Sequence, residues 1–417
     1  MPESPPSIPR GFRPFPFSYH EEIELEISTL TNMGKGLSRT ENGWVVFVPF
    51  CLPGERVLAR IYRNDRNFSE ADLIEVLTAS PARVTPRCEL FGQCGGCQYQ
   101  NLNYPDQLKY KQQQLEELLH HMAGITLTVA PVIPSPYEYG YRSKITPHLN
   151  KPRNGKIGAI GFQRAGRRKL IDVHECAIAN PAINERFARL RNSITDNPGQ
   201  FKKGATLLLR ADANTTVHTD PGSIAVDRVG SLEFHYPAGD FFQNNPAILE
   251  AFTTHVRQEA VSRGAKYMVD AYCGAGLFAL TSASLFKQVI GIEITEGSIH
   301  WARKNAEINS INNAQFLAGK VEEIFTGINL PGAETAVVID PPRKGCSENF
   351  LYQLFDYSPR TVVYVSCNPA TQLRDLKLFH RAGYLLDKVQ PIDLFPQTKH
   401  LECVMSLHKP PPADDAH

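Results

Sequence analysis

The sequence predicts an α/β protein: a Rossmann-like, doubly wound sheet in the C-terminal part, preceded by two β-rich parts. Three observations carry this. From residue 240 onward strand-like runs alternate with helix-like ones: YMVDAY, LFALTSASLF, VIGIEI, GSIHWARKNAEIN, AQFLAG, TAVVID, TVVYVS and ATQLRDLKLFHRAG. Such alternation means a parallel sheet with helices on both faces. Residues 17–79 instead hold short β-like segments (EIELEIS, GWVVFVP, ERVLARIYR, ADLIEVL) punctuated by Gly34/Gly36, Asn42-Gly43 and Pro53-Gly54, as hairpins of a small barrel are. Between these lies a stretch opened by Cys88-x5-Cys94-Gly95-Gly96-Cys97.

The totals agree with a globular chain of about three domains. With 44 Lys and Arg against 43 Asp and Glu, net charge +1 gives no overall steering toward nucleic acid, so such a partner needs a local patch. Arg164, Arg167, Arg168 and Lys169 supply one, with Lys144, Lys151, Arg153 and Lys156 nearby. No apolar run approaches the ~20 residues of a membrane span, and no basic-then-apolar leader opens the chain. A cytoplasmic protein without a membrane partner is expected. Nine cysteines, an odd number, point to metal ligands, a nucleophile and a few buried thiols rather than a disulfide framework.

In chain order, residues 1–16 are proline-rich and expected to be disordered. The barrel of 17–79 resembles a TRAM domain, an OB-like five-stranded fold that presents a strand face to RNA; a purely structural barrel gives the same pattern. Residues 80–239 read as a central domain. Its three clustered cysteines can wrap one metal centre, the glycines letting the backbone turn and aim N–H groups at sulfur. A fourth sulfur must come from elsewhere, and Cys176 in Val173-His174-Glu175-Cys176 is the candidate. The spacing alone leaves zinc and an iron–sulfur cluster both open. Pro105–Ala123 reads as an amphipathic helix, stopped by Gly124 and packing on the neighbouring domain. From Pro131 to Tyr236 the pattern is β-like. Residues 240–409 form the catalytic domain, in which Asn245 is expected to cap a helix running from Pro246 to Arg263. The segments around Leu385–Leu394 and Leu401–His408 suggest an antiparallel edge hairpin, and 410–417 a tail.

Two places in the last domain carry chemistry. Asp270-Ala271-Tyr272-Cys273-Gly274-Ala275-Gly276 follows the first strand, where glycines let a cofactor approach the backbone. Glu293 ends the second strand, where an acid accepts hydrogen bonds from a ribose diol. A dinucleotide fold wants a third glycine, but Ala279 stands there; the pattern looks like a class I S-adenosylmethionine methyltransferase. The fourth strand ends Asp340-Pro341-Pro342-Arg343. Amino-group adenine methyltransferases have an aromatic residue after the two prolines, so Arg343 disfavours an exocyclic amine as target. The fifth strand, Thr361–Ser366, ends on Cys367-Asn368-Pro369, which places a thiol at the active edge. Its plain alternative is a buried, space-filling cysteine.

Taken together the chain resembles the RNA (uracil-5-)-methyltransferase family over nearly its whole length. The resemblance rests on the barrel, the cysteine set, Asp240-Phe241-Phe242-Gln243, DAYCGAG, DPPRKG (Asp340–Gly345), SCNPATQLRD (Ser366–Asp375) and His400-Leu401-Glu402. It implies a [4Fe–4S] cluster on Cys88, Cys94, Cys97 and Cys176. It also implies S-adenosyl-L-methionine held by Gln243, Tyr272, Glu293 and Asp340, Cys367 as nucleophile, and Glu402 as base. The substrate implied is RNA, transfer or ribosomal, the four cysteines leaning to the ribosomal branch; the chain is expected to act as a monomer. Leu277 stands where relatives often have a small polar residue, and Gly319-Lys320 where an Asp or Asn often meets the adenine. Cys346, after DPPRKG, is an extra thiol.

The chemistry explains the set. Carbon 5 of uracil is a poor nucleophile until a thiolate adds to carbon 6, and then a base must remove the carbon-5 proton. Cys367 needs a positive or hydrogen-bonding neighbour to become thiolate, for which Arg343 is the candidate. Phe241 or Phe242 can stack on a displaced base. Two other readings stay open: an RNA cytosine-5 methyltransferase, and a non-catalytic, metal-stabilised RNA-binding protein. The former places its cysteines in Thr-Cys and Pro-Cys, where this chain has Ser366-Cys367 and Pro342-Arg343.

Overall fold

The computed structural model describes residues 8–166, 168–201, 203–319, 325 and 327–410. Arg167 of the basic run, Lys320 and most of the C-terminal tail lie outside the described residues. The chain divides into two compact units. One comprises Met1–Gln114, Arg164–Arg167 and Gln397–Lys399; the other Leu115–Gln163, Arg168–Pro396 and His400–His417.

The first unit is built on β1 (Glu22–Glu26), β2 (Thr29–Leu30), β3 (Lys35–Arg39), β4 (Val45–Pro49), β5 (Arg56–Asn64) and β6 (Phe68–Thr78). They form one sheet in the order β1-β5-β6-β4-β3-β2, with β4 and β6 parallel and every other pair antiparallel. Val57, Ala59 and Ile61 alternate with exposed or half-buried residues along β5, the period-two pattern of a strand with one face on a core. They meet Leu25, Val46, Val48 and Ala71 there. Six strands replace the expected five. EIELEIS holds β1 and stops just short of the two-residue β2, and β3 escaped notice because Lys35–Arg39 has only one large apolar residue. Gly34 turns between β2 and β3 at φ +73°, where a Cβ would also strike the Gln98 side chain at 2.9 Å.

Helix α1 spans Tyr104–Leu118, and Asn103 caps it by accepting the Asp106 N–H at 3.0 Å. A wider turn, Leu119–Ala123, packs on a later helix of the second unit, and Gly124 closes it at φ +67°.

The second unit begins with short strands: β7 (Lys144–Ile145), β8 (His148–Leu149), β9 (Ile160–Gln163), β10 (Leu170–Asp172), β11 (Ala205–Thr206), β12 (Leu209–Ala211), β13 (Val217–His218), β14 (Ile224–Val229) and β15 (Leu232–Pro237). They make two small sheets and the hairpin β14-β15. The β-like reading of this stretch omits α2, Pro181–Asp196. Its signals are present: Asn180 accepts the Ala182 N–H, Pro181 opens the helix, and Ile183, Phe187 and Ile194 recur on one buried face.

The larger part is a seven-stranded sheet of β16 (Tyr267–Ala271), β17 (Gln288–Glu293), β18 (Ala314–Ala318), β19 (Thr335–Ile339), β20 (Thr361–Ser366), β21 (Leu385–Ile392) and β22 (Glu402–His408). Its order is β18-β17-β16-β19-β20-β22-β21, parallel throughout β16–β20. The crossover helices are α3 (Leu249–Val261, ahead of β16), α4 (Leu277–Ser282), α5 (Glu296–Ile308), α6 (Glu348–Tyr357) and α7 (Pro369–Arg381). Every residue of β19 and β20 is buried, which is why both read as unbroken apolar runs.

The expected antiparallel edge hairpin forms, with β22 between β20 and β21 and β21 as the outer strand. Residues 130–133 run along it, Ile133 donating its N–H to the Pro391 carbonyl at 3.0 Å. Two details differ from expectation. Helix α6, absent from the sequence-based alternation, makes the crossover to β20, with Ser347 as its cap. Asn245 caps nothing: its amide is buried and donates to Ser135 Oγ and the Leu394 carbonyl, and Pro246–Ile248 is a 3-10 turn before α3.

Candidate active site at the carboxyl edge of the sheet

Strand register decides which side chains meet. Ala271 pairs with Ile292 and Ile339, and Ile339 with Tyr364, so β16, β17, β19 and β20 end at one edge. The residues that follow or close those ends are Tyr272, Glu293, Asp340 and Cys367. Antiparallel β22 starts where its neighbours finish: Cys403 pairs with Ser366, which sets Glu402 beside the end of β20. Gln243, another predicted cofactor contact, lies in the segment before α3 and is buried.

The glycine loop is a strained turn. Tyr272, Gly274 and Gly276 have φ of +67°, +52° and +91°, the first costly for a residue with a Cβ. Asp270 anchors the loop from below, its Oδ2 accepting the Ala279 N–H at 2.8 Å. Its Oδ1 has no partner among the described residues. Burial, with Asp340 and Glu293 adding negative charge, pushes the Asp270 carboxyl well above the usual carboxylate range. Glu293 Oε1 accepts the Thr295 N–H at 3.1 Å. Leu277, where a small polar residue was the alternative, is buried at the start of α4.

Cys367 sits among three charged groups. Burial raises its pKa, and Glu402 and Asp340 raise it further; the Arg343 guanidinium reaches the sulfur and acts the other way, by charge and by hydrogen bonding. Burial wins, so its proton affinity stands above that of an ordinary thiol. Glu402 is 4% exposed, and burial followed by the charge of Asp340 lifts its carboxyl well above the usual range, against the pull of Arg343. Burial takes Asp340 up to about 7. The site therefore combines a half-buried thiol, two buried carboxyls of raised proton affinity, and one cation.

The other edge thiols are placed differently. Cys403 and Cys273 are buried with pKa values raised by burial and by neighbouring carboxylates. Cys346 is buried too; its sulfur lies 3.8 Å from the Tyr364 hydroxyl, and burial raises it. Phe242 is core, stacked on Tyr236 at 4.3 Å, whereas Phe241 is 76% exposed.

What holds Arg343 was not read from the sequence. Its carbonyl accepts from Asn368 Nδ2 at 3.0 Å and Thr371 Oγ1 at 3.3 Å. Further along the loop, the Cys346 N–H donates to Asp375 Oδ2 at 2.9 Å, and Arg374 donates to the Lys344 carbonyl at 3.0 Å. Asn368, Thr371 and Asp375 are spaced i, i+3, i+7, one face of a helix, and that spacing was visible.

In the first unit, Cys88, Cys94 and Cys97 lie in a run of turns. Cys88 and Cys94 are close enough for one to raise the other, and the Gly96 N–H is directed at Cys94 sulfur. Among the described residues no three Cys, His, Asp or Glu side chains gather into a group that could hold a metal ion. Cys176, in the second unit, has its N–H bonded to Asn184 Oδ1 at 3.0 Å. The donor type suits an iron–sulfur cluster, but the arrangement is not that of an assembled ligand set. No disulfide joins any of the nine cysteines.

A sheet of this order, with its last strand antiparallel, a glycine loop after the first strand and an acid closing the second, is that of a class I methyltransferase. Residues 224–410 match the tRNA (uracil-5-)-methyltransferase family and residues 20–74 the TRAM domain. The tRNA (uracil(54)-C(5))-methyltransferase of Schizosaccharomyces pombe is 41% identical, over 94% of this chain and 79% of that one. The protein of the same name from Saccharomyces cerevisiae is 32% identical, over 94% and 75%. The fold is also that of the Pyrococcus abyssi tRNA (uracil-54, C5)-methyltransferase crystallised with S-adenosyl-L-homocysteine, at TM-score 0.73 and 24% identity, covering 92% of this chain and all of that one. The chain belongs to the tRNA (uracil-5-)-methyltransferase family. No helix among the described residues is long and apolar enough to cross a membrane.

Proposed function

We propose that the protein methylates carbon 5 of a uridine in transfer RNA, through a covalent bond between Cys367 and carbon 6 of the base. The observation that carries this is the meeting of Cys367, Arg343, Glu402 and Asp340 at one sheet edge beside the glycine loop. The names of the two fungal relatives support transfer RNA, and the uridine equivalent to position 54, over the ribosomal alternative.

S-adenosyl-L-methionine, when bound, supplies an electrophilic methyl group and carries positive charge. Asp340 and Glu293 add to the raised proton affinity of buried Asp270, and a cation bound beside them relieves that repulsion. Tyr272 and Gln243 complete the proposed contacts.

Cys367 gives up its thiol proton to solvent, the Arg343 guanidinium stabilises the thiolate left behind, and the thiolate sulfur then bonds to carbon 6. The displaced π pair makes carbon 5 nucleophilic, and carbon 5 takes the methyl. Glu402, as carboxylate, removes the carbon-5 proton; the C–H pair restores the double bond and expels Cys367 as thiolate. Burial of Glu402 matches this task, because a base with raised pKa accepts a carbon-bound proton more readily. The target must leave its stack to reach the edge, and exposed Phe241 is suited to stack on a displaced base. The basic residues Lys151, Arg153, Lys156, Arg168 and Lys169 and the TRAM barrel are proposed to hold the RNA backbone.

We also propose a [4Fe–4S] cluster on Cys88, Cys94, Cys97 and Cys176, supported by the spacing and by the Gly96 N–H directed at Cys94. It enters no step above. Protein purified without air should contain iron; stoichiometric zinc without iron sinks the cluster.

Incubation with methyl-labelled cofactor and unmodified RNA tests the function. Labelled 5-methyluridine is expected in transfer RNA at one site. Label in 5-methylcytidine, or cofactor binding without transfer to any RNA, overturns the reading.

A further inference from the structure

Among the described residues Arg343 is the cation that lowers the proton affinity of Cys367, yet its side chain leaves an exposed loop. A flexible cation on such a loop would spend its time in water. Something has to hold residues 343–346 against the end of β20.

The loop is fastened to α7 along its length. Asn368 and Thr371 take the Arg343 carbonyl, Arg374 takes the Lys344 carbonyl, and Asp375 takes the Cys346 N–H. Asp375 is the centre of this set. It is 2% exposed and makes bonds in three directions. Oδ2 accepts from the Cys346 N–H at 2.9 Å and from the Tyr364 hydroxyl of β20 at 2.7 Å. Oδ1 accepts from Arg374 Nε and a terminal nitrogen at 2.9 and 2.7 Å, and so aims that guanidinium back at the loop. The fit is tight. Gly345 has φ +80°, and a Cβ there would stand 2.7 Å from Asp375 Oδ2 and 2.6 Å from Arg374. A buried carboxylate that satisfies one strand, one helix and one loop at once makes all three move as a body.

We propose that Asp375 is a positioning residue, which locks the 343–346 loop to β20 and so keeps the Arg343 guanidinium on the Cys367 sulfur. The proposal rests on Cys367 as nucleophile and adds that its activation is set from α7. Cys346 gains a role through its backbone N–H, whatever its thiol does.

The test compares full-length wild type, Asp375→Asn, Arg343→Met, the double variant and Tyr364→Phe. Three quantities are read: pH dependence of Cys367 alkylation by iodoacetamide, kcat, and Kd for S-adenosylmethionine. In Asp375→Asn the alkylation curve should move to higher pH and kcat should fall about tenfold, with the cofactor Kd within about twofold. The double variant should be no worse than Arg343→Met, since both changes remove one contact. Tyr364→Phe, which keeps the fold if Asp375→Asn loses it, should move the curve in the same direction by less. Effects of Asp375→Asn and Arg343→Met that multiply, or an unshifted curve in Asp375→Asn or Tyr364→Phe, overturn the proposal. An alkylation curve unshifted by Arg343→Met itself instead sinks the assignment of Arg343, a separate failure.

Discussion

The two cysteine-bearing regions, the end of β20 and the loop of Cys88 to Cys97, are built on opposite principles. Cys367 is placed by long-range structure: five strands in register, a helix cap and a pinned loop bring groups from residues 340 to 402 together. The Cys88–Cys97 loop is placed by local sequence, with turns in place of strands, and Cys88 raises the proton affinity of Cys94. A site of the first kind is complete in the chain alone. A site of the second kind, if it holds the proposed cluster, is stabilised by what it binds, because metal binding is coupled to folding. Removing a side chain should therefore end the chemistry in the first region and lower stability in the second.

The largest effect is expected from Cys367→Ala, which should lower turnover by about 10⁴-fold or more while cofactor binding and melting temperature hold. Loss of cofactor binding in this variant would mean that the edge is one cooperative unit instead of a nucleophile on a scaffold. Glu402→Gln comes next, with kcat down by about 10²–10⁴-fold. The block should fall after methyl transfer, so a methylated protein–RNA adduct accumulates on denaturing gels; normal turnover without adduct places the base elsewhere.

Arg343→Met and Glu402→Gln also sharpen the electrostatics with opposite signs. Arg343 lowers the Cys367 pKa and Glu402 raises it, so alkylation should need higher pH in the first variant and lower pH in the second. Shifts of the same sign would show that the two side chains do not flank the sulfur. In the other region, Cys94→Ser should reduce bound iron and thermal stability yet leave kcat per folded molecule within about twofold. A specific loss of kcat would give the cluster a part in the reaction.

The smallest effect concerns Asp270. Its carboxyl is raised in the fold, so the native state binds more protons than the unfolded chain. Its contribution is most favourable below the ordinary carboxylate pKa of about 4, and is lost as pH climbs through the higher folded value. Asp270→Asn keeps an acceptor for the Ala279 N–H and removes this penalty. Its melting temperature should match wild type near pH 4 and exceed it by about 2 °C at pH 8, with weaker cofactor binding. A difference independent of pH would mean that Asp270 is charged without cost.

The comparison also marks what could be read from sequence. Strands β16, β17, β19 and β20 were legible because buried parallel strands are written as apolar runs, and the placing of Cys367 and Glu293 at one sheet edge followed from that. Helix α6 was not, since ENFLYQLFDY carries aromatic residues of little helical preference and depends on packing. Nor was the insertion of β22 between its neighbours, because nothing local encodes strand order. Phe241 and Phe242 look alike in sequence, and only Tyr236, met through the fold of the preceding hairpin, decides that Phe242 is core. The influence of Arg343 on Cys367 was anticipated, but its balance was not: burial by several elements outweighs one cation.

The most direct measurement uses transfer RNA carrying 5-fluorouridine at the target. Fluorine cannot leave as a proton does, so the reaction should halt after methyl transfer with the RNA bonded to the enzyme. Peptide mass should map that bond to Cys367, and Cys367→Ala should not form it, while Cys346→Ala and Cys403→Ala should. A bond to Cys346, or an adduct that survives in Cys367→Ala, would contradict the account.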